Sequence, residues 1–285
     1  MGIRQRVATW GSLVKFSHSI FALPFALIMV LLISRERPLS ALSLSMLVVC
    51  IVAARTAAMG FNRLVDVEID KANPRTKNRE IPSGVVTKRE AAALVVSACA
   101  VFVTGSAMLG VHCLVLAPVV LVVLLGYSYV KRFSSICHVV LGIALALAPG
   151  GVWYALTAEW SWRPVPLMGA VALWVAGFDI LYSCQDEEFD RGVGLFSVPS
   201  MIGVTRAVRI AALLHLFAVA MLVWSGSLFH VGIIYYLGVA LFAALLLSQY
   251  LAIILKGISC IDQVFFTRNG AASVLLLLSV LIDAF

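Results

Sequence analysis

The sequence predicts an all-α protein that crosses a membrane many times. Of its 285 residues, 62% are apolar and 12% are charged, whereas soluble domains carry about 45–50% apolar and about 25% charged residues. The apolar residues form runs of about 20 residues, the length that a helix needs to span the hydrocarbon core. Outer-membrane barrels instead show alternating segments of about 10 residues. A soluble globule, a disordered chain and a disulfide-rich secreted scaffold are excluded.

Nine apolar runs, separated by charged or turn-forming residues, are the predicted membrane spans. They cover residues 16–34, 40–62, 91–110, 112–130, 136–157, 165–185, 206–226, 231–255 and 264–284. Gly110 divides the third span from the fourth, because one run over 91–130 is too long for a single crossing. Thr87 and Glu90 have the spacing of a capping box and predict where the third helix begins.

Positive charge predicts the orientation of these spans. With the amino terminus inside, all but three of the 21 Lys and Arg lie in inner segments or inward helix halves, the three being Arg35, Arg37 and Arg163. Because Lys and Arg are retained in the cytoplasm, we expect the amino terminus inside, the carboxyl terminus outside and the first span retained. The expected membrane is a bacterial inner membrane, with an organellar membrane left open, and no Arg- and Ser-rich presequence is visible. The net charge of +7 fits contact with anionic lipid, and no nucleic-acid partner is predicted.

The chain repeats one pattern. Asp66 and Asp70 recur 120 residues later as Asp186 and Asp190, and residues 81–88 resemble residues 198–206 at an offset of 117 to 118. The repeat predicts a single domain over 1–285 with two four-helix halves, roughly 16–130 and 136–255, followed by a ninth helix over 264–284.

Two sets of carboxylate and amide side chains, spaced by one or two helical turns, predict a metal site. One set is Asn62, Asp66 and Asp70, and the other is Asp179, Asp186 and Asp190. Residues four apart advance by about 40°, so each set falls on one side of a helix. Carboxylates in or beside membrane helices need a partner or a wet cavity. Oxygen ligands without His or Cys favour Mg²⁺, which prefers one or two carboxylates together with substrate phosphate oxygens. Magnesium and a diphosphate are therefore the predicted ligands.

Groups suited to binding a diphosphate surround the acidic sets. They are Lys71, Arg75, Lys77, Arg79, Tyr127, Lys131 and Arg132. Lys and Arg side chains neutralise a leaving diphosphate. Arg55 lies on the same face as Asn62, about 10 Å further along the helix. That position suits a receptor for a substrate anion, and a buried pair with a carboxylate is the structural alternative.

Four motifs in this order resemble the UbiA-type intramembrane prenyltransferases. They are Asn62-x-x-x-Asp66-x-x-x-Asp70, Asn78-Arg79-x-Ile81-Pro82-Ser83-Gly84, Tyr127-x-x-x-Lys131-Arg132 and Asp186-x-x-x-Asp190. The resemblance implies nine helices around a central cavity open to lipid, in which helices two and six supply Mg²⁺-binding aspartates. It also implies transfer of a polyprenyl chain from its diphosphate to a small aromatic acid.

The resemblance further implies a role for each matching residue. Mg²⁺-diphosphate would be held by Asn62, Asp66, Asp70, Asp186 and Asp190, the four aspartates being catalytic. Lys77, Arg79, Tyr127 and Lys131 would bind the diphosphate, and Arg55 would contact the carboxylate of the acceptor. Asp179 and Arg132 are further candidates at the same site.

Two aromatic acceptors stay open. Ubiquinone-pathway members usually carry a Lys-Pro pair near the start of helix one, whereas this chain has the segment Phe16–Pro24 without it. That segment resembles a subgroup associated with menaquinone made through futalosine. The acceptor is therefore 4-hydroxybenzoate, in ubiquinone biosynthesis, or 1,4-dihydroxy-6-naphthoate, in menaquinone biosynthesis. A secondary transporter is the alternative from another class of protein, which the acidic clusters at inner helix ends disfavour.

Overall fold

The computed structural model describes residues 9–14 and 21–284, except the side chains of 263–265, and all regular secondary structure in that part of the chain is helical. In chain order the helices are α1 (Leu23–Ser34), α2 (Ala41–Val65), α3 (Val67–Ala72), α4 (Lys88–Leu109), α5 (Val111–Val130), α6 (Cys137–Thr157), α7 (Val165–Ser183), α8 (Glu187–Val193), α9 (Val198–Ile202), α10 (Val204–Leu228), α11 (Ile233–Lys256) and α12 (Ile261–Ala284). Short 3₁₀ turns, Cys184–Asp186 and Ile258–Cys260, precede α8 and α12. The predicted all-α class is confirmed.

Within the described residues, eight helical segments are long and apolar enough to cross a membrane. They match the second to ninth predicted spans, with α7 to α8 counted as one segment, Val165–Val193. The first predicted span, 16–34, lies outside the described residues over 16–20, and α1 forms 12 residues of its remainder. The multi-pass architecture is confirmed, and the count of nine is approximate.

Local chemistry explains two helix boundaries that the sequence predicts. The Glu90 N–H donates to Thr87 Oγ1 at 3.2 Å and the Thr87 N–H donates to Glu90 Oε2 at 2.9 Å, which is a complete capping box at the start of α4. Gly110 separates α4 from α5 with a φ of 138°, a conformation that favours glycine. A Cβ at Gly110 would lie 2.6 Å from the His112 ring.

The chain divides into two compact units. The first comprises residues 1–19 and 40–129, and the second comprises residues 20–39 and 130–285. In the first unit α2 packs along α4, and a buried cluster holds Cys50, Ala53, Phe102 and Ala117. Small side chains at such contacts let membrane helices approach closely.

The core of the second unit is aromatic. Trp174 in α7 is fully buried and its ring contacts those of Phe25, Phe178 and Phe242 at centroid distances of 5.0 to 5.7 Å. Tilted and edge-on pairs of this kind contribute beyond their buried area. The indole N–H of Trp174 donates to Asn269 Oδ1 at 2.9 Å, so the ring is held at both its apolar and its polar end.

A buried polar network extends from this core. His215 Nε2 lies 3.1 Å from the Trp174 carbonyl oxygen, and His215 Nδ1 lies 2.6 Å from the Tyr250 hydroxyl. Gln249 bonds both His215 Nδ1 and the Asn269 amide at 3.2 Å. Because the carbonyl can only accept, Nε2 carries the proton and Nδ1 accepts. The network joins four helices through paired polar groups, as buried polar atoms require.

Ion pairs gather at one end of the second unit. The pairs are Arg35–Asp283 at 3.6 Å, Arg37–Glu159 at 3.5 Å and the two-pronged Arg163–Glu36. The Arg163 guanidinium lowers the pKa of the Glu36 carboxyl and lies 4.6 Å from the Phe229 ring centroid. The 19 residues of α7 run for about 28 Å from Arg163 to the second acidic motif. All three predicted outer cations therefore lie at the end of this unit opposite Asp186.

Gly142→Ala is expected to destabilise the protein by about 1–3 kcal/mol, the range for overpacking. A Cβ at Gly142 in α6 would lie 2.2 Å from the Ala172 carbonyl oxygen in α7, and backbone atoms cannot move aside cheaply. Gly151, in the same helix, has no atom within 4 Å of an added Cβ. Gly151→Ala is the matched control, and we expect it to be neutral or slightly stabilising. Thermal unfolding in detergent measures both, and equal midpoints would contradict the close α6–α7 contact.

Candidate active site

The first acidic motif straddles a break between two helices. Asp66 lies between α2 and α3 with φ −91° and ψ 5°. The helical hydrogen bonds continue through it, because the Asp66 N–H donates to the Asn62 carbonyl at 3.0 Å and the Asp70 N–H to the Asp66 carbonyl at 2.7 Å. Asp66 therefore departs from helical backbone angles, while the chain on both sides of it keeps helical hydrogen bonds. Asp66 and Asp70 are 2% and 4% exposed, so both carboxylates are buried.

Asn62 is held against the first of these carboxylates. Its amide nitrogen donates to Asp66 Oδ2 at 3.1 Å and lies 3.4 Å from the hydroxyl oxygen of buried Ser128. Asparagine also carries a carbonyl oxygen that can serve as a metal ligand. These hydrogen bonds from the amide nitrogen fix the orientation of the Asn62 side chain. Its carbonyl oxygen remains the kind of metal ligand that the sequence predicts at this position.

Two arginines lie beside the Asp70 carboxylate, one near each of its oxygens. Arg79 Nη1 donates to Asp70 Oδ1 at 2.7 Å, and Arg63 Nη1 lies 3.9 Å from Oδ2. Arg63 is itself buried and donates through Nε to the Leu13 carbonyl at 3.4 Å. Asp70 Oδ2 accepts no hydrogen bond in the described structure. A buried carboxylate oxygen in this state is costly unless a cation binds it.

The other predicted residues of the first unit lie around this pair. Lys77 is exposed on the loop after α3, and Arg79 is the diphosphate candidate already paired with Asp70. The Tyr127 hydroxyl in α5 lies 4.0 Å from Met59 Sδ, and Arg55 and Asp66 are among the charged groups that act on it. The structure thus brings Arg55, Asp66 and Tyr127 into one neighbourhood.

Lys71 and Lys88 belong to a different surface. Lys88 Nζ donates to Glu68 at 2.9 Å and Lys71 Nζ lies 3.8 Å from the same carboxylate. Hydrogen bonding from Lys88, with the nearby charge of Lys71, lowers the pKa of Glu68. Because Glu68 is exposed, these ion pairs are solvated and separate from the buried aspartates.

The second acidic motif repeats the break of the first. Asp186 ends the 3₁₀ turn Cys184–Asp186 and precedes α8, with φ −105° and ψ 9°. These angles are close to those of Asp66, its counterpart in the sequence repeat. Asp186 and Asp190 are both half-buried. Each motif therefore places its first aspartate at a helix junction and its second one turn later.

Asp190 is tied to the loop that follows α8. The Leu195 N–H donates to the Asp190 carbonyl at 2.8 Å, and the Ser197 side chain lies near the Asp190 carboxylate. The Phe196 N–H donates to the Lys131 carbonyl at 2.8 Å, and the charge of Lys131 acts on Asp190. Lys131 and Asp190, predicted from separate motifs, are thus neighbours in the second unit.

Asp179 has a partner of its own. Its Oδ2 lies 2.7 Å from Nδ1 of His138, which is 3% exposed. The sequence predicts one stripe for Asp179 and Asp186, but Asp179 lies in α7 whereas Asp186 ends the 3₁₀ turn that follows α7. Arg132, the other further candidate, is half-buried beside Lys131.

The donor set fits an oxygen-bound cation that is shared with a substrate. Among the described residues, no cluster of three or more His, Cys, Asp or Glu side chains forms a complete protein metal site. Mg²⁺ needs no such cluster, since it keeps waters and binds through one or two carboxylates plus phosphate oxygens. Asp66 and Asp70 meet that requirement, and Asp70 Oδ2 accepts no hydrogen bond that would compete with a cation.

A model of the UbiA prenyltransferase family matches residues 22–270. The chain belongs to this family. It is therefore a prenyltransferase and an integral, multi-pass membrane protein. The resemblance carried by the four motifs is confirmed at the level of the family, while the individual residue roles stay predictions.

Relatives of this UbiA-family chain include two named 4-hydroxybenzoate octaprenyltransferase. That of Marinobacter nauticus is 32% identical over 201 residues, covering 70% of this chain and 68% of the relative. That of Nitrosospira multiformis is 31% identical over 202 residues, with the same coverage of 70% and 68%.

Solved structures share the fold of this UbiA-family chain. The apo UbiA homologue from Aeropyrum pernix K1 is 32% identical, with a TM-score of 0.84 over 94% of this chain and 98% of that one. The UbiA homologue from Archaeoglobus fulgidus bound to DMAPP and Mg²⁺ has a TM-score of 0.68 at 16% identity, over 97% and 99%. At that identity the likeness extends to the fold alone.

Two buried groups of these sites were not among the predicted site residues. Arg63 precedes Asp70 by seven residues, which places it within about 20° on the helix, so the spacing could have identified it. His138 could not be identified in this way, because it contacts residues 41 and 60 positions away in the sequence.

Proposed function

We propose that the protein transfers a polyprenyl group from its diphosphate to the ring of a small aromatic acid, with Mg²⁺ as cofactor. One observation carries the proposal. A buried aspartate pair stands at a helix break with an oxygen that lacks a hydrogen bond, and the same break recurs at Asp186. The relatives named 4-hydroxybenzoate octaprenyltransferase and the family match support the same reaction.

Each acidic motif contributes ligands to Mg²⁺-diphosphate. Asn62, Asp66 and Asp70 act in the first unit, and Asp186 and Asp190 act in the second. When bound, Mg²⁺ supplies positive charge that stabilises the departing diphosphate. Lys77, Arg79, Tyr127 and Lys131 bind the diphosphate oxygens, with Arg132 as a further cation, because charge-assisted hydrogen bonds are the strong ones.

The reaction is an electrophilic aromatic substitution. The allylic carbon–oxygen bond of the prenyl diphosphate breaks, and the electron pair leaves with the diphosphate. A ring carbon activated by the phenol then forms a bond to the allylic carbon and loses its proton. Preorganised charge on the chain provides most of the rate enhancement in such a step. The long prenyl tail gains about 0.8 kcal/mol for each buried methylene, which favours a site inside a membrane.

A product-mass experiment tests the reaction and the acceptor together. Purified protein receives one polyprenyl diphosphate, Mg²⁺ and equal amounts of 4-hydroxybenzoate and 1,4-dihydroxy-6-naphthoate. We expect diphosphate release and a prenylated acid, with 4-hydroxybenzoate as the preferred acceptor because the named relatives use it. A prenylated naphthoate as the main product would favour the menaquinone alternative. Absence of a prenylated product with either acid would contradict the proposed acceptor class.

Arg55→Ala is expected to raise the KM for the aromatic acid at least about 10-fold, because a hydrogen bond to a charged group is worth about 1.5–3 kcal/mol. Arg55 is half-buried on α2, seven residues before Asn62, which suits it to a substrate carboxylate. The KM for the prenyl diphosphate should stay within about twofold. Arg89→Ala, an exposed arginine in the first turn of α4, is the control. An unchanged acceptor KM in Arg55→Ala would instead support a structural ion pair.

The proposed topology has the amino terminus inside and the carboxyl terminus outside, in a bacterial inner membrane. The three predicted outer arginines all lie at the end of the second unit opposite Asp186, each paired with an acid. Only these three of the 21 Lys and Arg are assigned to the outer side by the sequence, and a scarcity of Lys and Arg is typical of outer segments. A carboxyl-terminal reporter fusion active only in the cytoplasm would contradict this orientation.

A further inference from the structure

His138 completes the start of helix α9. The first N–H groups of a helix have no partner within it. In α9 the Ser200 N–H donates to Ser197 Oγ at 3.3 Å and the Met201 N–H donates to the Ser197 carbonyl at 3.1 Å. Pro199 has no N–H. The Val198 N–H donates to Nε2 of His138 at 3.2 Å, so a side chain from α6 binds the remaining donor of this turn.

The hydrogen-bond partners define the state of the His138 ring. Nε2 accepts from the Val198 N–H, so it carries no proton, and Nδ1 donates its proton to Asp179 Oδ2 at 2.7 Å. The imidazole is 3% exposed. Asp179 thus fixes the tautomer and plane of His138, which in turn fixes Val198.

The segment that His138 anchors also holds two candidate ligand groups. Leu195 binds the Asp190 carbonyl through its N–H, and the Ser197 side chain lies near the Asp190 carboxylate. Phe196 binds the Lys131 carbonyl through its N–H. Residues 195–198 therefore connect His138 to the backbone of Asp190 and of Lys131 through hydrogen bonds.

We propose that His138 and Asp179 form a positioning pair that orients Asp190 and Lys131 for Mg²⁺ and diphosphate. This inference rests on the proposed function, in which Asp190 binds the metal and Lys131 the diphosphate. Neither His138 nor Asp179 needs to touch the substrate, because their effect is transmitted through the loop 195–198. Groups that orient metal ligands in this way typically change metal affinity by about 10–100-fold when they are replaced.

The same unit offers a matched control. His215 is also a 3% exposed imidazole, and it hydrogen-bonds Trp174, Gln249 and Tyr250, none of which lies in the loop 195–198. Replacing His215 removes a buried hydrogen-bonded ring of the same size. The His215 variant therefore measures how much stability is lost when any buried, hydrogen-bonded imidazole of this unit is removed.

The test compares His138→Leu with His215→Leu. We expect both to lower the thermal midpoint, and only His138→Leu to raise the half-saturating Mg²⁺ concentration and the KM for prenyl diphosphate, by about 10-fold or more. The KM for the aromatic acid should be unaffected.

His138→Gln keeps one acceptor and one donor and should restore most of the affinity. Asp179→Asn, an isosteric change, allows the opposite imidazole tautomer and should shift Mg²⁺ dependence in the same direction as His138→Leu.

Binding without turnover separates the two proposals. The probe is Mg²⁺ with inorganic pyrophosphate, followed by calorimetry and by hydrogen exchange at residues 195–201. If wild-type protein binds this pair while His138→Leu and Asp179→Asn bind as His215→Leu does, the positioning role is overturned and the proposed function stands. If wild-type protein neither binds the pair nor transfers a prenyl group, the proposed function fails and the role of His138 fails with it. Weaker binding and faster exchange confined to the His138 and Asp179 variants support the positioning pair.

Discussion

Asp66→Ala is expected to lower the rate of prenyl transfer about 10²–10³-fold, and Asp186→Ala is expected to do the same. Removing one preorganised group that stabilises developing charge typically costs about 2.7–4 kcal/mol of barrier. Both residues stand at helix junctions with nearly the same backbone angles, so each replacement should remove a ligand from an equivalent position. Release of diphosphate from a polyprenyl diphosphate, measured at saturating Mg²⁺ and acceptor, gives the rate.

The chain supplies a control for each motif at the same spacing. Glu68 and Glu188 each follow a motif aspartate by two residues and are exposed. Glu68→Ala and Glu188→Ala should keep most of the wild-type rate, since these carboxylates lie off the buried pair. More than half of the wild-type rate in Asp66→Ala or Asp186→Ala would end the assignment of that residue to Mg²⁺. Circular dichroism and thermal midpoints close to wild type exclude misfolding as the cause.

Much of the fold follows from patterns that are local in sequence. The eight described spans coincide with apolar runs, because a helix must satisfy its own backbone hydrogen bonds in lipid. The start of α4 follows from Thr87 and Glu90, and its end follows from Gly110. Each of these features depends on residues a few positions apart, so the sequence alone contains the information.

Other features depend on tertiary contacts. No glycine or proline marks the break at Asp66, and the break before α8 likewise falls among ordinary helix-forming residues. The pairing of His138 with Asp179 joins helices α6 and α7 over 41 positions. The four-residue spacing of each motif predicts which carboxylates act together, but the partners that orient them come from elsewhere in the chain.

Arg63→Met is expected to destabilise the protein by about 1–3 kcal/mol, because it removes the more buried of the two cations at Asp70 and leaves the Leu13 carbonyl without its donor. The side chains of Arg63 and Asp70 are 4% and 5% exposed, whereas that of Arg79 is 24% exposed. Water can therefore replace Arg79 more easily than Arg63. Arg79→Met, which removes the other cation from the same carboxylate, should cost less stability.

A double substitution distinguishes a charge effect from lost packing. Arg63→Met with Asp70→Leu removes both buried charges, and replacing a buried ion pair by apolar groups is often neutral. We expect the double variant to recover part of the stability that Arg63→Met loses, with no recovery of activity, because Asp70 is also a proposed Mg²⁺ ligand. Thermal unfolding in detergent gives the midpoints. A double variant less stable than Arg63→Met would contradict the pairing, whereas recovery means that the charge of Arg63 offsets the burial of the Asp70 carboxylate at the proposed Mg²⁺ site.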